Sequence, residues 1–116
     1  MKKTIAIALL AAGSFATSTI AAEVPLEKIK EKAKTCAACH GEDGNAAANP
    51  MYPRLAGQYH DYLARALHEY KSGERKNPIM AGFVATLSEA EIQALASYFA
   101  ALPGKLDDLS RHEQGD

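Results

Sequence analysis

Two thiols and an imidazole lie within five consecutive residues, Cys36-Ala37-Ala38-Cys39-His40. Two cysteines separated by two residues and followed at once by histidine form the signature of covalent haem attachment. Each thiol can add its S–H across one vinyl group of a porphyrin, and two intervening residues match the separation of the vinyls. The histidine then falls beneath the iron, where it can supply the proximal imidazole. Three other chemistries use part of this set. A redox-active Cys-x-x-Cys disulfide needs a thioredoxin-like strand–helix setting, and no strand pattern is legible here. A zinc site needs about four Cys, His or carboxylate ligands, and there is no second Cys-x-x-Cys and no His-x-x-x-His. A structural disulfide leaves His40 unexplained.

Haem iron has six positions. The porphyrin fills four, and His40 would take a fifth. A thioether in the sixth would close the iron to substrate and favour the ferrous state. Past the first residue the chain offers Met51 and Met80. Met51 follows His40 closely, between Pro50 and Pro53. Met80 lies 40 residues after His40, in a segment long enough to cross to the other face of the ring. Met80 is therefore the expected ligand, and Met51 is expected to pack against the haem or sit exposed.

The elements that must position these groups read as helices. Pro25 precedes a stripe of Leu26, Ile29 and Ala33, continued by Cys36 and Ala37, which predicts a first helix over 26–35. Lys28, Lys30, Lys32 and Lys34 alternate with the stripe and read as a solvated face rather than a docking patch. Residues 41–57 read as loop, with a turn at Asp43-Gly44 and prolines at 50 and 53. Tyr59 to Ser72 shows one apolar face of Tyr59, Tyr62, Leu63, Ala66, Leu67 and Tyr70, with Gly73 as a stop. His60 and His68 lie on its polar side and read as surface histidines. Residues 76–87 read as a second irregular segment. Ser88-Glu89-Ala90-Glu91 is a capping box opening a last helix, whose stripe is Ile92, Leu95, Ala96, Phe99 and Leu102 and whose stop is Pro103-Gly104.

The chain has 116 residues and a formal charge of −1. That length allows one domain. Residues 1–22 have the layout of a secretory signal: Lys2 and Lys3, an apolar run from Ile5 to Ala12, then small residues ending at Ala21-Ala22. The apolar run is too short and too diluted by Gly and Ser/Thr for a retained anchor, so no stable membrane insertion is expected. Residues 23–104 form the expected domain and 105–116 a polar tail. No concentrated basic face exists, which excludes a nucleic-acid footprint. So small a chain buries little surface by itself, and a buried haem would supply much of its core.

Taken together, Cys36 to Gly41, Asp43-Gly44, Pro53-Arg54-Leu55-Ala56-Gly57-Gln58, Gly73 to Met80 and Leu95 to Phe99 resemble class I c-type cytochromes. The resemblance covers nearly all of the chain after residue 22. It is nearest to small bacterial periplasmic cytochromes whose two-haem relatives repeat a similar unit. The resemblance implies an all-α small cytochrome c fold, with about three main helices and irregular loops around one covalent haem c. It implies thioether links at Cys36 and Cys39, axial ligands His40 and Met80, and a hydrogen bond from the His40 ring to the Pro53 carbonyl. Leu55 would pack on the haem, Arg54, Gln58 or Arg75 would meet its propionates, and Asn77 would support the methionine loop. Ala33 and Tyr98 would serve the crossing of first and last helices, although the first helix lacks the aromatic often found there. The implied function is electron transfer in the periplasm with redox protein partners, an oxidase, reductase or dehydrogenase, and no enzymatic turnover. Partners would dock near Ala46 to Ala48, Met51 and Ile79 to Phe83. Three alternatives stay open: the haem subunit of a larger dehydrogenase, such as a flavocytochrome oxidising a sulfur compound; a gas-binding haem protein with Met80 unligated; and a haem-free thiol oxidoreductase.

Overall fold

The computed structural model describes residues 23–46 and 49–105; residues 1–22, expected to be a secretory signal, Ala47-Ala48 and the residues beyond Lys105 lie outside it. Among the described residues the protein is all-α, with four helices and no strand. Helix α1 spans Leu26–His40, α2 His60–Ser72, α3 Pro78–Val84 and α4 Glu89–Ala101. No single helix of the described residues is long and apolar enough to cross a membrane.

Helix α1 runs five residues beyond the expected end at 35 and carries the whole cysteine–histidine motif on its last turn. Ala37 and Ala38 favour helix strongly, so nothing in the motif breaks it. The stop is Gly41, whose φ of 88° is open to glycine and whose N–H donates to the Ala37 carbonyl at 2.9 Å. Helix α3 is a second difference, because the segment expected to be irregular holds two helical turns. Asn77 caps it by accepting from the amides of Ile79 (3.0 Å) and Met80 (3.1 Å), and Pro78 occupies the first turn, where it costs no hydrogen bond. Packing hides the rest of the signal, since the helix is only seven residues long.

The core is built around α4. Its Ile92, Leu95, Ala96 and Phe99 meet Ile29 and Ala33 of α1 and Leu63 and Ala64 of α2, with Val84 and Leu87 closing the side below α3. Half-buried Tyr98 lies beside Ala33, the pair expected at the crossing, in an open groove between α1 and α4 that also borders Lys30 and Lys34. The far end of α4 is sealed by backbone. Gly57 donates to the Phe99 carbonyl at 3.1 Å, and a Cβ added to Gly104 would stand 2.5 Å from the Ala56 carbonyl oxygen. Only glycine fits at 104.

The lysine row of α1 divides in two. Lys30 and Lys34 pair with Glu27 and Glu31 on the surface, at 2.9 and 2.6 Å. Lys28 and Lys32 instead reach across to Glu91 at 3.3 and 3.4 Å. Glu91 is buried and completes the capping box by accepting from the Ser88 amide at 3.0 Å. That amide is the main cause holding its carboxyl at about 2, with Lys28 and Lys32 adding to it. One carboxylate therefore both starts α4 and ties it to α1.

Because folding lowers the Glu91 pKa from an ordinary 4.5 to about 2, its contribution is whole above about pH 4.5. It is lost as pH falls through the folded value. Glu91→Ala should cost about 1–2 kcal/mol at pH 7, from the lost cap and an unpaired amide. Denaturant titrations of wild type and Glu91→Ala between pH 7 and 2 should converge as the pH drops. A gap that stays constant to pH 2 would show that the carboxylate charge is irrelevant.

Candidate functional site

The site begins on the last turn of α1. Cys36 and Cys39 are half-buried free thiols, and the Cys36 thiol points at the Lys32 carbonyl, 3.7 Å away. Burial pushes the Cys36 thiol above its ordinary pKa. His40 is buried at 6% exposure. Its Nδ1 lies 2.8 Å from the Pro53 carbonyl oxygen. A carbonyl only accepts, so the proton sits on Nδ1 and the Nε2 lone pair is free for a metal. The Tyr52 ring stands edge-on to the imidazole, centroids 6.3 Å apart.

The loop that returns from α1 to Pro53 is held by its own polar groups. Gly44 donates to the Gly41 carbonyl at 2.9 Å, and Ala46 donates to the His40 carbonyl at 2.7 Å. The Asp43 carboxylate accepts from the Asn45 amide at 3.0 Å, which holds its pKa below the ordinary value. The Gly44 carbonyl then accepts from both Leu55 (2.7 Å) and Ala56 (2.9 Å). This pairing turns Pro53 back under the histidine and places half-buried Leu55 against the core.

The second expected ligand lies on α3. Met80 is half-buried and packs on the core, on the helix that Asn77 caps. Its neighbours Ile79 and Phe83 are exposed at 62% and 48%. Met51 is 79% exposed, outside the core. Ala46 lies in the left-handed region (φ 49°), while the rest of the expected alanine rim, Ala47 and Ala48, lies outside the described residues.

The remaining expected residues are distributed differently. Arg54 directs Nε to the Asn45 carbonyl and Nη1 to the Lys105 carbonyl, both at 3.2 Å. Arg75 lies over the Tyr70 ring, 5.0 Å from its centroid, and its pKa is raised mainly by a hydrogen bond to Tyr62. Gln58 accepts from the Tyr59 amide at 3.2 Å, at the start of α2. His60 is exposed, and His68 pairs with Glu89 at 3.1 Å across α2 and α4. Asn45 and Tyr52 were not singled out from the sequence. The Asp-Gly-Asn run carried a turn signal for the first, and nothing local marked the second.

The donor set fits a covalent haem: two thiols on one helical turn, an imidazole with Nε2 free, and a thioether on a separate element. A family model described as cytochrome c matches residues 27–103. The chain belongs to the cytochrome c family. Its cofactor is accordingly a covalently bound haem c, and a cytochrome c domain is an electron-transfer module. The chain is 44% identical to cytochrome c4 of Pseudomonas aeruginosa over 70 residues, 60% of this chain and 34% of that protein. It is 38% identical over 102 residues to a thiosulfate dehydrogenase electron acceptor of Thiomonas intermedia, 88% of this chain and 45% of that one. Among solved structures, cytochrome c4 of Acidithiobacillus ferrooxidans superposes with a TM-score of 0.60 at 28% identity, over 66% of this chain and 49% of that one. The chain thus spans about a third to a half of the length of these relatives.

Asn77→Ala removes the acceptor for two amides of the first turn of α3. It should cost about 1 kcal/mol and raise amide exchange across residues 78–84 above that of α2. Equal protection in the two proteins would show that packing alone holds Met80.

Proposed function

We propose that this cytochrome carries one electron at a time on a His40/Met80-ligated haem c, in the periplasm, between redox protein partners. The observation that carries the reading is the 2.8 Å contact from His40 Nδ1 to the Pro53 carbonyl. It leaves Nε2 free for a metal and makes the imidazole a stronger donor. Haem supplies an iron that cycles between ferric and ferrous. The residues do the rest. Cys36 and Cys39 fix the ring to α1 through thioethers. His40 holds one axial side from a buried helix end. Met80 holds the other from a capped helix packed on α2. With both sides occupied the iron has no position for substrate, and electrons pass without ligand exchange. The leader-like residues 1–22 support export, and apolar Ile79 and Phe83 supply a rim where a partner's surface would meet the haem edge.

A second reading has its own support. The relationship to a thiosulfate dehydrogenase electron acceptor favours a cytochrome that takes electrons from a dehydrogenase acting on a sulfur compound. In that case a dehydrogenase partner should co-purify with the chain from its native host at low ionic strength. Isolation of the cytochrome alone would favour a free carrier.

The ferric protein should show a weak red charge-transfer band from sulfur–iron ligation. Met80→Ala should abolish it, open the reduced protein to carbon monoxide, and lower the potential by on the order of 0.1 V or more, since axial ligation spans about 0.8 V across haem proteins. A wild type that lacks the band and binds carbon monoxide readily has an open iron and is not a closed carrier.

A further inference from the structure

Asn45 is 2% exposed, yet every part of it is engaged. Its side-chain amide donates to the Asp43 carbonyl at 3.2 Å and the Pro103 carbonyl at 3.1 Å. Its side-chain oxygen accepts from the Lys105 amide at 2.9 Å. Its own carbonyl accepts from Arg54 Nε at 3.2 Å, and Arg54 Nη1 goes on to the Lys105 carbonyl. Residues 43–45 and 54 and the distant segment 103–105 are thus pinned together by two side chains. The pinned residue Arg54 follows Pro53 directly. A peptide unit is planar, so the Pro53 carbonyl cannot turn without moving the Arg54 nitrogen. On its other side Leu55 is fixed to the Gly44 carbonyl at 2.7 Å.

We propose that Asn45 and Arg54 are positioning residues for the axial histidine, acting as a latch that aims the Pro53 carbonyl at His40 Nδ1 and so sets the reduction potential. The inference rests on the reading of His40 as an iron ligand. The chemistry has a definite sign. A well-aimed carbonyl makes the imidazole more electron-rich and stabilises ferric iron. Loosening the latch weakens that hydrogen bond and favours the ferrous state. Asn45 serves through both edges of its amide, which aspartate cannot copy because it has no N–H donors. Arg54 serves through its fork rather than its charge, because both acceptors are neutral carbonyls.

The test uses the haem-loaded protein. Asn45→Ala and Arg54→Gln should shift the redox equilibrium against a reference mediator toward ferrous by roughly three- to tenfold, where tenfold is about 59 mV for one electron. Nuclear magnetic resonance of the reduced protein should show faster solvent exchange of the His40 Nδ1 proton. Arg54→Lys, which keeps the charge and loses the fork, should shift as far as Arg54→Gln and carries the test if Asn45→Ala does not fold. Glu91→Gln, at the opposite end of α4, supplies a control that lowers stability without moving either readout. Wild-type potential and proton exchange in the Asn45 and Arg54 variants would overturn the latch, leaving those residues a purely structural role. So would a shift in Arg54→Gln that Arg54→Lys abolishes, because charge would then be the cause. A failure of Met80 ligation would appear instead as a missing sulfur–iron band in the wild type, while His40 proton exchange still reports on the latch.

Discussion

One hydrogen bond organises this molecule, from the His40 ring to the Pro53 carbonyl. A histidine that must offer one nitrogen to a metal has to spend the other, or its tautomer and orientation drift. Meeting that demand shapes the neighbourhood. Helix α1 must continue through His40 so that the ring leaves from a rigid backbone. The chain must then turn at once and return an acceptor to the same place. The doubly used Gly44 carbonyl performs that return by pairing with Leu55 and Ala56. A loop with few apolar residues is thereby made firm by its own backbone.

Helix α4 acts as the strut on which α1 and α2 rest, and α3 rests in turn on α2. At its start Glu91 joins the cap of α4 to two lysines of α1. At its end the segment after Phe99 lies against Gly57 and Asn45. Its middle carries the apolar residues that support α1 and α2. The loop side is thus referenced to α4 directly, and the methionine side through α2. Relative position of the two axial candidates then depends on packing density rather than on loop stiffness.

How much of this could be read in advance depended on the range of each interaction. The cysteine–histidine motif, the Ser88 capping box and the glycine stops are local, and each was legible. The first helix is expected to stop at 35 even though its apolar spacing continues through Cys36 and Ala37, and the helix propensity of Ala37 and Ala38 carries it on to His40. Helix α3 was missed because Pro78 and Gly82 outweigh a short apolar stretch, although Asn77-Pro78 is a sound helix start. The lysine row looked like a uniform polar face. Its division into surface pairs and core ties depends on Glu91, about sixty residues away, and no local pattern announces such a partner. Arg54 looked free to meet an anionic group for the same reason, since its acceptors at Asn45 and Lys105 are assembled only by the fold.

The contact of Gly57 with Gly104 has a consequence for the order in which the molecule comes into being. A chain is delivered from its N-terminus, so Cys36, Cys39 and His40 appear more than sixty residues before Gly104. Until those last residues arrive, the seam at Gly57, the Asn45 tie and the carboxylate that grips α1 do not exist. Long-range closures of this kind are also the slowest to form. The nascent polypeptide therefore passes through an interval in which its thiols are present but its final architecture is not. For a protein whose cysteines must be alkylated by a bulky ring, late closure keeps the reactive turn accessible.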